Sequence, residues 1–420
     1  MQQLKKQLQK KQLKKRLRKN KTTATKRFFF TIVSKTILYN VTNFEPSTLK
    51  IGVLGGGQLG RMLIQSAINY NLYVCCLDPD ANAPCKAIAH EFTKGSLTDY
   101  DTVLKFGKDK DIITIEIENV NIEALKELEK QGKKVFPQPS VIEIIKDKGL
   151  QKMFYQRNDI PSSDFFLIEN KTQIEKYAAF FPFFQKLRTG GYDGKGVVKL
   201  GHPNKIEQAF DEPSVLERLV DFDKEISVIV ARNESGETKC FPAVECEFNP
   251  EANLVEFLFS PADIKKSVNK QATEIAIKIA EKLNIVGILA VELFVTKQGK
   301  VLVNEVAPRP HNSGHQTIEG NITSQFEQHL RAILNLPLGD TSIIKPAVMI
   351  NILGEKNYEG AAKYEGLIDA IKYKGVYIHL YGKTITKPFR KMGHATIIDD
   401  DLELAKKKAI IVKDLIKVIA

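Results

Sequence analysis

The chain has no tryptophan, little cysteine, no long apolar run and, in its first 49 residues, almost no acid. Each absence excludes something. The five cysteines (Cys75, Cys76, Cys85, Cys240 and Cys246) are odd in number and form no CxxC. That argues against a disulfide framework or a zinc site and fits buried thiols in a reducing cytoplasm. No apolar run approaches the roughly 20 residues that span a bilayer, so no membrane partner is expected. Residues 1–49 carry 13 Lys and Arg against one acid, Glu45, which accounts for the whole net charge of +12. The remaining residues, 49 basic and 49 acidic, are neutral overall. The body therefore offers no electrostatic footprint for nucleic acid.

The basic segment itself does not read as a secretory signal. Its apolar stretch is short, Lys35 interrupts it and no small-residue cleavage site follows. An organelle transit peptide has no support in the context. The expectation for 1–49 is a disordered extension or a start assigned too early, although the next methionine, Met62, already lies inside a motif.

What is present is organised around GILAVELFVTKQGKVLVNEVAPRPHNSGH, residues 287–315. It reads as two β-branched strands, Ile288–Val295 and Lys300–Val306, joined through Gln298–Gly299. With those two residues as the turn, Lys297 pairs with Lys300, Val295 with Leu302, and Glu292 with Glu305. Opposed carboxylates, with Cβ atoms about 5 Å apart, repel unless a cation lies between them. Mg²⁺ suits such a pair, because it takes one or two carboxylates and leaves other positions to phosphates. Asn304 adds a neutral oxygen. Two exposed glutamates, each paired with a lysine, fit this stretch equally well on its own.

At 420 residues the chain is long enough for two or three domains. From Lys50 a βαβ pattern begins, and Gly55-x-Gly57-x-x-Gly60 with Asp78 downstream matches a dinucleotide fingerprint. Its glycines would let the backbone approach a phosphate at a helix N-terminus, or would simply make a tight turn. DIITIEIENV, 111–120, reads as a strand with Glu116 and Glu118 on one face, followed by a further strand near Lys134–Phe136. Residues 138–180 read as helical segments broken at Pro161. FQKLRTGGYDGKGVVKL, 184–200, places four glycines with Asp193 and Lys195 between two short strands. Such a flap closes over polyphosphate, or is a flexible hairpin tip. Its spacing is not that of a P-loop. SVLERLVDFDKEISVIVAR, 214–232, reads as strand, connector, strand, where a buried Glu217 and Leu219–Val220 would suit adenine or a plain edge strand. Residues 263–284 and 322–335 read as helices. The last segment has strands at 347–354, 376–383 and 394–399, then a helix. Its Lys383, Arg390 and Lys391 suit a phosphate or plain solvation.

Together the motifs GGGQLGRM (55–62), TIEIENV (114–120), GGYDGKG (190–196), NEVAPRPHNSGH (304–315) and RKMGH (390–394) resemble those of the ATP-grasp ligases. Within them the chain resembles the 5-(carboxyamino)imidazole ribonucleotide synthetase family of purine biosynthesis, over residues 50–420. The resemblance implies an α/β and α+β architecture. An N-terminal open parallel α/β domain (50–147) precedes an ATP-grasp domain (148–340, lid to about 225, catalytic half from 226) and a small C-terminal β-rich domain (341–420).

It also implies roles. ATP would be held by Lys148, Lys186, the flap Gly191, Tyr192, Asp193, Gly194, Lys195, Gly196 and Val197, then Glu217, Arg218, Leu219, Val220, Glu225, Phe248, Asn304 and Glu305. Glu292 and Glu305 would carry Mg²⁺, with Mn²⁺ as an alternative. Aminoimidazole ribonucleotide would meet Gly57, Gln58, Leu59, Glu116, Glu118, His311, Asn312, Lys383 and Arg390. Tyr192, Asp193, Lys195 and Arg309 would act in catalysis, the arginine gripping an anionic intermediate. The glycine loop would then face that nucleotide's phosphate, not NAD. Bicarbonate is the third substrate, and a cytoplasmic homodimer is the implied assembly. Two positions depart from the family pattern: Lys148 stands for an arginine in KDKGLQK, and Phe248 for a histidine in PAVECEF.

Rival readings are an ATP-grasp ligase working through another acyl phosphate, such as formate-dependent glycinamide ribonucleotide transformylase, an NAD-dependent oxidoreductase, and a non-catalytic nucleotide-binding module. The oxidoreductase leaves the 190–196 flap and the hairpin unexplained.

Overall fold

The structure is a computed structural model that describes residues 45–191, 196–249, 251 and 254–420. Its first sheet is parallel. Strands β1 (Lys50–Leu54), β2 (Tyr73–Asp78), β3 (Glu91–Lys94), β4 (Ile112–Ile115) and β5 (Lys134–Val135) take the order β3-β2-β1-β4-β5. β1 and β4 are continuous apolar runs, as strands covered on both faces must be. The order reverses around β1, so the crevice for a ligand opens where β1 and β4 end side by side. The glycine turn leaves β1 there, and Glu116 follows β4.

The strand expected over 111–120 stops at Ile115. Glu116 leaves the sheet because its carboxylate is drawn to the backbone amides of Gly57 and Gly60. Glu116 and Glu118 are therefore not neighbours on a strand face.

Residues 138–180 also differ from expectation. Helices Pro139–Lys146 and Lys148–Arg157 are followed by a strand, β6 (Phe165–Ile168), and a 3₁₀ segment, Lys171–Phe180. Aromatic and apolar residues at 165–168 favour a pleated, half-buried surface, and Phe166 stacks on Tyr177 at 4.2 Å. β6 joins β7 (Phe183–Leu187), β8 (Val197–Leu200) and β9 (Ser214–Arg218) in an antiparallel sheet ordered β6-β9-β7-β8. The glycine-rich flap is the β7–β8 connection. Its residues 192–195 lie outside the described residues.

The largest sheet has nine strands. β10 (Phe222–Arg232), β11 (Thr238–Cys240), β12 (Val244–Asn249), β13 (Leu254–Ser260), β14 (Gly287–Thr296), β15 (Val301–Ala307) and β16 (Ala347–Leu353) are joined by strands Lys391–Ile398 and Val376–Leu380. The path runs β15-β14-β10-β12-β13-β16 and on into those last two, with β11 paired to β10. Helix Lys266–Leu283 lies against the sheet through Val268, Ala272, Ile275, Ile279 and Leu283, a helical spacing that packs on β10, β14 and β15. It ends at Asn284, in the left-handed region at φ +50°.

Helix Gln325–Ile333 is capped by Ser324, whose hydroxyl accepts from the Glu327 amide. It carries His329 between two sheets. His329 Nε2 lies 2.9 Å from Thr114 Oγ1 of β4, and Nδ1 accepts the Ile288 amide of β14. The parallel sheet and the hairpin strand are thereby pinned to one ring.

Candidate active site

The carboxylate hairpin is β14 and β15. The pair Glu292–Glu305 is directly opposed. The path to it differs from the expected one. The turn holds three residues, not two: the Thr296 amide donates to the Lys300 carbonyl at 2.9 Å, and Gly299 takes φ +80°. That is the three-residue hairpin with a left-handed glycine. Val295 therefore pairs with Val301 and Phe294 with Leu302, one position away from the expected register. A bulge after Leu293, which leaves Asn304 without a cross-strand partner, shifts it back and restores Glu292 opposite Glu305. The same bulge presents the Asn304 amide oxygen to Lys186 Nζ at 3.1 Å.

The two carboxylates are not equivalent. Lys148 Nζ lies 2.7 Å from Glu305 Oε2 and, as the largest influence, holds that carboxyl below the usual range. Burial, then the Glu305 charge, pushes Glu292 above it. His311 Nε2 stands 3.5 Å from Glu292 Oε1, and its Nδ1 is fixed by Ser313 Oγ at 2.9 Å, itself 2.7 Å from Ser227 Oγ. Glu225 lies two residues before Ser227 on the same strand face. Burial raises its carboxyl to about 7 despite Lys186 nearby.

Behind the hairpin a buried network fixes Lys186. Glu217 is 5% exposed and bridges Lys186 at 3.3 Å and the buried Lys152 at 3.1 Å, with Ser163 donating to it at 2.9 Å. Burial alone would raise its carboxyl. Two ammonium groups and the hydroxyl outweigh that and bring it down to about 2. The Glu217 side chain thus positions lysines. Any adenine contact of this stretch falls to the Glu217–Val220 backbone and to Leu219 and Val220, which are half-buried. Arg218 points outward, 3.7 Å from Asp164.

The amino-terminal glycine loop departs from the phosphate-loop reading. Gly56 donates to Asp78 at 2.6 Å, and Gly57 and Gly60 donate to the two Glu116 oxygens at 2.8 and 2.9 Å. The protein's own carboxylates occupy the amides that a nucleotide phosphate was expected to use. Asp78 is likewise spent on the loop and is not a ribose ligand. At Gly57 a Cβ would lie within 2.4 Å of Glu116 Oε1, which explains the glycine there.

These elements meet around a cavity of about 540 Å³. Gln58, Leu59, Glu116, Glu118, Lys148, Gly191, Glu292, Glu305, Arg309, His311 and Asn312 line it. Arg309 Nε is 2.9 Å from Glu118, so the loop after β4 and the segment after β15 are tied at the cavity wall. The lining residues not singled out for the site include Arg188, Lys146 and Asn119. Arg188 is held by Asp147, with Nη2 2.6 Å from the carboxylate. Its one sequence signal is its place two residues after Lys186.

Other assigned residues lie elsewhere. Lys391 lines the cavity, whereas Lys383 donates to the Lys391 carbonyl and Arg390 to that of Ile385. The Lys383 ammonium also lies 5.6 Å from the centre of the Tyr381 ring. Phe248 packs with Val244, Val255, Leu258 and Met349, outside the cavity lining. Gly196 and Val197 close the described part of the flap. Tyr192, Asp193, Gly194 and Lys195 lie outside the described residues.

Three family models match the chain: a ribonucleotide synthetase preATP-grasp domain at 48–146, an ATP-grasp domain at 153–326 and a phosphoribosylaminoimidazole carboxylase C-terminal domain at 347–408. An N5-carboxyaminoimidazole ribonucleotide synthase of Bacillus subtilis is 37% identical over 87% of this chain and 94% of its own length. The chain spans 64% of a chloroplastic phosphoribosylaminoimidazole carboxylase of Vigna aconitifolia (38% identical) and 37% of a bifunctional purine synthesis protein of Dictyostelium discoideum. Among solved structures, the N5-carboxyaminoimidazole ribonucleotide synthetase of Thermotoga maritima superposes with a TM-score of 0.82, at 42% identity over 89% of this chain and all of that one. An Aspergillus clavatus N5-carboxyaminoimidazole synthase in complex with ADP and 5-aminoimidazole ribonucleotide gives 0.81, at 31% identity over 88% of this chain and all of that one.

Proposed function

The chain belongs to the N5-carboxyaminoimidazole ribonucleotide synthase family of ATP-grasp ligases, and from that membership we propose that it carboxylates the exocyclic amine of 5-aminoimidazole ribonucleotide, using ATP and bicarbonate, in purine biosynthesis. The observation that carries the reading is the opposed Glu292–Glu305 pair at the wall of a cavity that also gathers Arg309 and His311.

Mg²⁺ fits the donor set: two carboxylates with the Asn304 oxygen beside them, the remaining positions left to phosphates and water. Among the described residues no cluster of three or more His, Cys, Asp or Glu side chains could hold an ion. Mn²⁺ would use the same oxygens. When bound, the ion would supply positive charge to the nucleotide's phosphates.

The chemical problem is that bicarbonate is a poor electrophile. Its oxygen attacks the γ-phosphorus, ADP leaves, and carboxyphosphate forms. Lys186, held between Glu217 and Asn304, sets a fixed ammonium against the charge that develops in transfer, and no reorganisation is needed at that moment. Carboxyphosphate breaks to carbon dioxide and phosphate, and the amine attacks carbon to give the carbamate. The phosphate takes the amine's proton, so no side-chain base is required. Arg309 holds the anionic intermediate while Glu118 holds Arg309. His311 and Asn312 face the nucleotide, with Gln58 and Leu59 opposite. Tyr192, Asp193 and Lys195, which lie outside the described residues, are assigned to the same substrate by the family resemblance. Residues 50–147, 148–340 and 341–420 act as the three domains of this enzyme, and two copies form its dimer. Its five free thiols fit a reducing compartment.

Phosphate release from ATP is the test. It is expected only with both aminoimidazole ribonucleotide and bicarbonate present. Release that follows formate, or ignores the nucleotide, would reject the assignment.

A further inference from the structure

Two lysines face the hairpin, and they are held differently. Lys186 is clamped by Glu217 and Asn304. Lys148 opens the helix Lys148–Arg157, capped by Asp147, and its backbone amide is fixed by the Arg188 carbonyl at 2.9 Å. Among the described residues its ammonium has one ion-pair partner, Glu305, at 2.7 Å. Glu305 faces Glu292, so this ammonium stands at the place where opposed carboxylates need positive charge. The pair is partly open, with the side chains 22% and 42% exposed, which leaves the ammonium a route away from its partner.

On the reading that the hairpin holds the metal, we propose that Lys148 is an exchangeable internal counter-cation. It holds Glu305 Oε2 in the resting protein and releases it when a divalent ion arrives with the nucleotide, carrying its charge to the phosphates. Two cations on one carboxylate oxygen repel, so ion and ammonium compete. The competition lowers affinity for the bare ion and couples the binding of metal to that of nucleotide. This account gives a reason for a lysine, not an arginine, at position 148. A guanidinium would grip the carboxylate with two prongs, whereas an ammonium is a point charge on a flexible stem and lets go more readily.

The test is a Mn²⁺ titration of the full chain without nucleotide, reading free Mn²⁺ by electron paramagnetic resonance. Lys148→Met is expected to bind Mn²⁺ about fivefold tighter than the unaltered protein, the size of one partly exposed ion pair. Lys148→Arg is expected to bind it no tighter than the unaltered protein. With ADP present the order reverses, and Lys148→Met falls below the unaltered protein. Unchanged or weaker Mn²⁺ binding by Lys148→Met, or tighter binding by Lys148→Arg, would overturn the proposal. Glu305→Gln run in parallel separates the premises. If it binds Mn²⁺ as well as the unaltered protein does, the hairpin is not the metal site, and the role of Lys148 falls with it.

Discussion

Two regions of this molecule advertise charge binding, and they differ in one respect. In the glycine loop the donors are already satisfied. Asp78 and Glu116 accept the amides of Gly56, Gly57 and Gly60. In the hairpin two acceptors face each other across a strand pair, and the contacts they have, Lys148 at 2.7 Å and His311 at 3.5 Å, come from side chains partly open to solvent. A group that the fold satisfies internally and locks in place is architecture. Like charges brought together with displaceable partners invite a ligand. By that criterion the hairpin, not the fingerprint-like loop, is the place proposed for an exogenous ion.

The largest effects test the hairpin. Glu292→Gln and Glu305→Gln should each reduce ADP formation by about 10³-fold or more, as the loss of preorganised transition-state charge does. Circular dichroism and the melting midpoint should stay near those of the unaltered protein. Turnover that survives either change would erase the contrast.

The loop should fail in the opposite way. Glu116 accepts the Gly57 and Gly60 amides while burial raises its carboxyl, and Glu116→Gln turns an NH₂ toward one of those donors, at about 1–3 kcal/mol for a donor left unsatisfied. Urea unfolding should report a loss of about 1–3 kcal/mol. An unchanged unfolding midpoint, with ribonucleotide binding alone lost, would make the loop a ligand site after all.

A third effect, of similar size, lies in the buried network behind Lys186. Glu217 has a folded-state pKa lowered to about 2, against 4.5 for the ordinary group. A lowered carboxyl contributes stability that is complete above the unfolded pKa and is lost as pH falls through the folded one. Unfolding free energy should therefore drop by about 3 kcal/mol between roughly pH 4.5 and 2 on account of this group. Glu217→Gln should flatten that part of the profile, and an equally steep profile in the variant would assign the acid lability elsewhere. The smallest effect is expected from removing residues 1–48. Activity should not change, and a loss greater than about tenfold, or 1.4 kcal/mol, would give the basic segment a role.

Much of this was legible in the chain because it is local. Apolar runs marked β1 and β4, helical spacing marked 263–284 where the helix runs Lys266–Leu283, and β-branched runs marked both arms of the hairpin. The opposed glutamates emerged although the turn was misjudged by one residue, because the bulge at Asn304 makes the compensating shift. No local pattern announces a bulge. The partners of Glu116 were hidden for another reason: Gly57 and Gly60 are on a different strand's turn, brought close only by parallel pairing of β1 and β4. Arg188 escaped similarly, since it reaches the cavity through contacts between distant segments. Nothing in a sequence says whether a backbone amide is still free, and the glycine fingerprint misleads for that reason.

The direct measurement is anomalous scattering from crystals grown with Mn²⁺ and ADP. The account predicts a manganese peak between the Glu292 and Glu305 carboxylates, within coordination distance of both. A peak at Glu116 or Asp78 beside the glycine loop, with none at the hairpin, would contradict it.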